Sequence, residues 1–447
     1  MTQNDKPVLL MFDHFFDQDL KEIESYGESR YRLVRIPAIR FRKLASQIFP
    51  EQAFGDLGTA YGDDMLPHWQ RYETLVNFEA RWLVACYSPS LFIVPSDVFF
   101  YVRPLITALK LLNVKTLVVQ KETTITDFTM KEHAQEIEKW TPFMSDFMTV
   151  CSQRQKDFWI LSGANQNRIA VTGQPRFDFY LRPQATRRER DRPRLLYLSF
   201  DDVAYLPGDL GHKNTDTWRV FRQELEETIS EFVDFYEIVV KKHPQQQPSQ
   251  SWLNQNITEA RRDQDTRVLI LKSDVVVAFQ TTGAYEGIVA GKQVIYPAWG
   301  DVYERHLDGL IRYDLDPELF HHAKSKDELS MMLHSPGKLP KINSAGTKKI
   351  EQTLGSLDGH ATSRLYQYID SLRNPPTHVA ISFNEYIVRL TQNLCILVFL
   401  TLAKLTFFGN RRLMESFHWR LTLRHDVCRE AYEIIKSRKV VWSPAKT

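Results

Sequence analysis

Between Pro7 and Trp299, short apolar runs of strand length alternate with amphipathic segments of helical period, and a single charged stretch divides the series in two. The first set is "PVLLMFDHF" (from Pro7), "YRLVRIPA" (Tyr31), "LFIVPSD" (Leu91), "KTLVVQ" (Lys115), "DFMTVCS" (Asp146) and "RIAVTG" (Arg168). Helical segments such as "RYETLVNFEARWLVA" and "VRPLITALKLL" lie between them. Strands that are apolar on both faces and joined by helices form parallel sheets wound on both sides. The stretch "RPQATRRERDRPR" (Arg182 to Arg194) has two prolines and no periodicity, and reads as a solvated linker rather than a phosphate-binding patch. Alternation then restarts with "RLLYLSF" (Arg194), a helix near "TWRVFRQELEETISEFVDF", "YEIVVKKHP" (Tyr236), "TRVLILK" (Thr266), "SDVVVAF" (Ser273) and "KQVIYPAW" (Lys292), all expected strands apart from the helix. Two α/β units in tandem follow: residues 1–181, a linker at 182–193, and residues 194–373, with ligands expected where the strand C-termini meet in a shared cleft.

Length agrees with this division, because 447 residues exceed what one hydrophobic core supports. A formal net charge of +2 gives no field that would gather nucleic acid. Cys86, Cys151, Cys395 and Cys428 form no CxxC pair and read as free thiols of a reducing compartment. The opening "MTQNDKPVLLMF" lacks the basic and long apolar regions of a signal peptide, so a cytoplasmic location is expected. A third boundary falls at "NPPTH" (Asn374 to His378), after which residues 374–447 read as a helical extension. Within it "NLCILVFLTLAKLTFFG" is broken by Lys404 and followed by Arg411 and Arg412. A spanning helix needs about 20 uninterrupted apolar residues. A buried core helix and an in-plane helix on the cytoplasmic face of the inner membrane both remain open.

Chemistry concentrates at two expected strand ends. In "SDVVVAFQTTGAYEGIVAGKQVIYP" a strand runs into Gln280-Thr281-Thr282-Gly283 and then into a helix. Free N–H groups at that helix start, with the threonine hydroxyls, make an anion site, and Gly283 allows close backbone approach. Glu286, about one turn further on, is placed to reach a ribose hydroxyl. The plainer alternative is that Thr-Thr-Gly only caps a helix. In "VVKKHP" (Val239 to Pro244) His243 precedes a proline and is held extended, with Lys241 and Lys242 beside it, as a phosphate donor or as a solvated basic turn.

Taken in order, "VTGQPRFD" (Val171 to Asp178), "RLLYLSFDD" (Arg194 to Asp202), "VVKKHP" and "SDVVVAFQTTGAYEGIVAGKQVI" resemble the GT-B transferases of bacterial surface polysaccharides. The similarity is to the branch of capsule and lipopolysaccharide Kdo transferases and CDP-glycerol glycerophosphotransferases, over roughly residues 90–335. The resemblance implies a GT-B fold, two tandem Rossmann-like domains around a cleft, with a helical C-terminal extension. It implies His243, Thr281, Thr282 and Glu286 as donor-binding positions, and Lys241, Gln280 and Gly283, from the same two strand ends, complete the expected donor-binding set. It also implies a nucleotide-activated sugar donor leaning towards CMP-Kdo, a glycan or lipid-linked glycan acceptor, peripheral membrane contact, and no metal or other cofactor. Phe279-Gln280-Thr281-Thr282 replaces the Asp-Tyr-Ser-Ser-like loop of the glycerophosphotransferases, and their His-Gly-x-x-x-Lys motif is absent, which tilts the reading to the Kdo side. A base or nucleophile must come from the facing domain. Glu122, just past a strand end, is the first choice and Asp202 the second, with Asp13, His14, Lys121 and Asp201 at comparable ends. The alternatives are a polyol-phosphate transferase, a UDP-N-acetylglucosamine 2-epimerase, and a non-catalytic GT-B scaffold.

Overall fold

Leu9 and Met11 of the first strand pack into one core while Val8, Leu10 and Phe12 pack into another, and all five are buried. A strand covered on both faces in this way belongs inside a parallel sheet. The computed structural model describes residues 6–14, 16–55, 57–121, 130–183, 191–200, 215–243, 251–305, 317–339, 344–372, 375, 378–392, 394 and 440–441. The first sheet comprises β1 (Val8–Asp13), β2 (Arg32–Pro37), β3 (Leu91–Val94), β4 (Thr116–Val119), β5 (Phe147–Val150) and β6 (Ile169–Val171), in spatial order 2-1-3-4-5-6. The second comprises β7 (Arg194–Ser199), β8 (Glu237–Lys242), β9 (Thr258–Glu259), β10 (Val275–Ala278), β11 (Gln293–Pro297) and β12 (His321–Ala323), in order 12-11-10-7-8-9. Every neighbouring pair is parallel. Read within its own domain, the second order is that of the doubly wound dinucleotide-binding fold, and its topological switch point lies between β7 and β10.

One expected strand is a helix. "TRVLILK" forms Thr266–Lys272, capped by Asp265, which accepts from the Arg267 N–H at 3.0 Å. A seven-residue segment with four aliphatic residues at its centre has no periodicity that separates strand from helix, and here the aspartate cap decides. Two short edge strands, β9 and β12, carried no apolar run and were not anticipated.

The Ala361–Leu372 helix leaves the second domain and packs Leu365, Tyr366, Ile369 and Leu372 onto the first sheet, beside Leu9, Met11, Ile93 and Leu117. Asp178 starts it, accepting from the N–H groups of Ala361 and Thr362 at 3.0 and 2.8 Å. Beyond it, residues 383–392 are helical and lie against the first domain. Arg389 bonds Glu79, and Arg81 bonds Glu385 at 2.9 Å. Ile381–Ser382 pairs in parallel with Val440–Val441, which brings residues 440–441 to this face. Apart from Leu394, "NLCILVFLTLAKLTFFG" lies outside the described residues, as do Cys395 and Cys428, while Cys86 and Cys151 are buried free thiols. Among the described residues no helix is long and apolar enough to cross a membrane.

Candidate functional site

Strand register brings the two motifs of the second domain, Gln280–Gly283 and Lys241–His243, to one edge. Ala278 pairs with Leu198, and Ser199 pairs with Lys242. The C-termini of β10, β7 and β8 are therefore level, and Gln280, Phe200 and His243 stand just past them. At a strand spacing of about 4.8 Å, the Gln280 loop and His243 are about 10 Å apart across β7. This is the switch-point crevice where doubly wound sheets bind ligands.

Aromatic packing holds the loop. Phe279 is fully buried among Phe200, Phe221, Trp218 and Tyr296, with ring centroids 4.8 to 5.6 Å apart. Gln280 adopts φ +49°, a left-handed conformation uncommon outside glycine, and its buried amide donates to the Tyr296 hydroxyl at 2.5 Å. Its side chain is thus turned into the domain, while Thr281 and Thr282 are half-buried at the edge. The expected cap differs in detail. Thr282 makes no side-chain cap bond; instead the Thr281 Oγ1 accepts from Gly283 N–H at 3.2 Å. The helix it opens, Gly283–Val289, has only seven residues, so the loop itself carries more of any anion contact than a helix dipole does. Gly283 also serves another purpose than expected. A Cβ there would lie 2.6 Å from Leu198 Cδ1, and one at Gly287 would lie 2.8 Å from Val294 Cγ2. Both glycines let the helix sit close on the sheet.

The Lys-x-His-Pro element divides as well. Lys241 is buried and its ammonium donates to the carbonyls of Arg261 and Arg262, both at 2.8 Å. Burial lowers its pKa. Lys242 pairs with Glu259 at 2.7 Å. His243 is half-buried at the strand end.

Glu286 points to the domain junction. It is 4% exposed, accepts from the Tyr180 hydroxyl at 2.5 Å, and lies 3.9 Å from Arg176. Burial raises its pKa against the opposing pull of Arg176. Arg176 in turn donates its backbone N–H to Asp19 at 3.0 Å and its guanidinium to the Lys121 carbonyl at 3.2 Å. Gln174 donates to the same Asp19 oxygen at 2.6 Å. Arg176 therefore joins the residue past β4 in the first sheet to the helix past β10 in the second, which sets the two C-terminal edges facing each other. A second tie lies alongside, where Arg267 bonds Glu22 at 2.7 Å and Asp265 at 2.9 Å. The signal for the junction was present in "VTGQPRFD", whose Gln174, Arg176 and Asp178 are all engaged, but spacing alone gave no hint of their partners.

On the facing edge, His14 follows β1 at that sheet's own switch point. Its Nε2 lies 2.8 Å from the Tyr101 hydroxyl, and its ring meets Phe99 edge-on at 4.5 Å. Burial, with repulsion from Lys121 and Arg42, lowers its pKa to about 3, so the imidazole is neutral. Asp13 is engaged by Arg35 at 3.3 Å, and burial raises its pKa. Tyr101, Arg42 and Asp19 were not singled out in the sequence, since none sits in a recognisable motif. Glu122, Asp201 and Asp202 lie outside the described residues.

No protein-family model and no curated protein matches the sequence. Among solved structures the chain is similar to a candidate UDP-N-acetylglucosamine 2-epimerase from Listeria monocytogenes, with TM-score 0.50 and 14% identity, covering 82% of this chain and 96% of that one. It is also similar to UDP-GlcNAc 2-epimerase from Neisseria meningitidis bound to UDP-GlcNAc (TM-score 0.48, 10% identity, 82% and 100% covered). A third similarity is to the wall teichoic acid polymerase TagF (TM-score 0.48, 11% identity, 83% and 91% covered). Two six-stranded parallel sheets with facing C-terminal edges, together with the likeness to the Listeria structure, make this a GT-B fold of two Rossmann-like domains.

Proposed function

We propose that the protein is a nucleotide-sugar-dependent GT-B glycosyltransferase that builds or modifies a cell-surface polysaccharide or lipopolysaccharide, and that its C-terminal extension attaches it to a membrane face. The observation that carries the reading is the register that levels His243 with the Gln280–Thr282 loop at the switch point of the second sheet. In this reading the Thr281 and Thr282 hydroxyls and His243 hold the donor phosphate, and Gln280 and Tyr296 fix the loop. Donors fixed in advance stabilise charge on the departing phosphate without reorganising. The acceptor hydroxyl attacks the anomeric carbon, the bond from that carbon to the phosphate oxygen breaks, and a base takes the acceptor's proton. Glu122 is assigned as that base from its position one residue past Lys121 at the β4 edge, with Asp202 past β7 as the other candidate. Glu286, held by Tyr180, supports the junction under the loop and lies in the helix that follows the Thr281 and Thr282 contacts. The Lys-x-His-Pro element favours a cytidylate donor of the CMP-Kdo kind.

A second reading, a UDP-N-acetylglucosamine 2-epimerase, is favoured by what the similar Listeria structure is described as. Calorimetric titration of the full chain with CMP, CDP and UDP separates them. Saturable cytidylate binding is the expected result; binding of UDP alone moves the assignment to the epimerase, and binding of none leaves a GT-B scaffold without catalysis.

A further inference from the structure

The Ala38–Ser46 helix starts directly after β2, the strand beside β1, and buries Ala38, Phe41 and Ala45 against the first domain. Its next face, Ile39, Arg42, Lys43 and Ser46, has spacing i, i+3, i+4, i+7 and so forms one continuous stripe. That stripe lines a cavity of about 540 Å³, whose other wall is Phe49 and Phe54. The volume falls within the usual range for small-ligand sites. The wall is rigid, because Phe49 packs edge-on to Trp69, Tyr72 and Phe100, and Phe54 packs on Phe100 at 5.0 Å. Phe54 also meets Tyr101 at 6.1 Å, and Tyr101 bonds His14, so the cavity is one side chain away from the facing edge of the cleft.

Charge on this helix is unevenly used. Arg40 is paired with Glu79, whereas Arg42 has no ion-paired or hydrogen-bonded partner among the described residues. Glu51 is the carboxylate that also lines the cavity. An exposed guanidinium with a lysine beside it, across from two phenylalanines, suits an oxyanion carried on an apolar stem or ring face.

We infer that this cavity is the acceptor subsite and that the acceptor is an amphiphilic anion, with its phosphate or carboxylate on Arg42 and Lys43 and its apolar part on Ile39, Phe49 and Phe54. The acceptor role rests on the transferase reading; the ligand class rests on the cavity alone. Two sources share this chemistry, a lipid-linked phosphate and an acidic sugar.

The test is calorimetry on the full chain with n-hexyl phosphate and methyl glucuronoside, and with n-hexanol, methyl glucoside and inorganic phosphate as controls. Binding of n-hexyl phosphate, weakened roughly tenfold in Arg42→Ala by loss of a charged hydrogen bond and weakened also in Phe54→Ala, supports the site and a lipid-phosphate acceptor. The same dependence with methyl glucuronoside supports the site and an acidic-sugar acceptor. Arg42 is exposed on a helix, so the alanine variant keeps its melting temperature. Binding of neither amphiphile, binding indifferent to Arg42→Ala, or inorganic phosphate binding as tightly as n-hexyl phosphate overturns the inference. Nucleotide titration of the same samples keeps the two readings apart. Nucleotide bound without either amphiphile removes only the cavity assignment, whereas an amphiphile bound without nucleotide removes the transferase reading and leaves the ligand class standing.

Discussion

Lys241 and His243 stand two residues apart in one motif and meet different surroundings. Lys241 is turned inward to two loop carbonyls, whereas His243 stands at the strand end. Lys241→Ala removes two hydrogen bonds and a buried side chain and costs about 1–3 kcal/mol of stability, seen as a lower melting temperature. His243→Ala keeps the melting temperature and loses roughly tenfold in nucleotide affinity by calorimetry; a variant that binds nucleotide normally takes His243 out of the donor site. Glu286 gives a pH signature. Its pKa is raised above the ordinary 4.5, with burial as the main cause. A carboxyl that binds its proton more tightly when folded contributes stability fully below its unfolded pKa and loses that contribution as pH rises through the folded one. Glu286→Gln cannot ionise and loses nothing in that window. The difference in melting temperature, variant minus wild type, therefore grows as pH rises above about 4.5. A difference that is flat or shrinks with pH shows that the carboxylate is well compensated by Arg176.

At the scale of elements, the Gly283–Val289 helix rests on the sheet through its glycines. Gly283→Ala places a methyl 2.6 Å from Leu198 Cδ1 inside a packed core. Overpacking of this kind costs about 1–3 kcal/mol, and thermal unfolding reads it directly. A variant of unchanged stability means that Leu198 yields, which returns Gly283 to the ligand-approach role that the sequence implied. The strands were legible in the sequence because buried parallel strands are continuous apolar runs, as "VLLMF" and "DVVVAF" are. The Thr266–Lys272 helix was not legible because its four central aliphatic residues fit either period, and the Asp265 cap that decides it sits in a run of charged residues with no distinctive spacing. The Gln280–Gly283 loop was legible as a strand-to-helix turn because its polar residues cluster between two apolar runs. The junction of Asp19, Arg176, Tyr180 and Glu286 was not, since it depends on which side chains the domain arrangement brings together.

For the whole molecule, the first domain carries both the return helix and the start of the extension. Residues 383–392 are fixed to it by the Arg389–Glu79 and Arg81–Glu385 pairs, and Ile381 is buried. Cutting the chain at 378 removes those contacts and confuses folding with attachment. The same helix presents Ile387, Val388 and Leu390 to solvent, at 42, 48 and 38% exposure, and Leu394 just beyond it is 60% exposed. These positions fall on adjoining helical rows and form an apolar stripe. "CILVFLTLAKLTFF" follows it in the sequence, and Arg411, Arg412, Arg420 and Arg424 come after. Such arginines gain about 1 kcal/mol each near an anionic leaflet, and apolar burial adds about 25 cal/mol per Å². Salt screens the first contribution and leaves the second. The protein should therefore float with phosphatidylglycerol liposomes and lose only part of that binding in high salt. Ile387→Ser combined with Val388→Ser and Leu394→Ser should reduce flotation while leaving the melting temperature unchanged, because all three side chains are exposed in the folded protein. Wild-type protein that stays with the soluble fraction, or a triple variant that floats as well as wild type, rules out this face as the point of attachment.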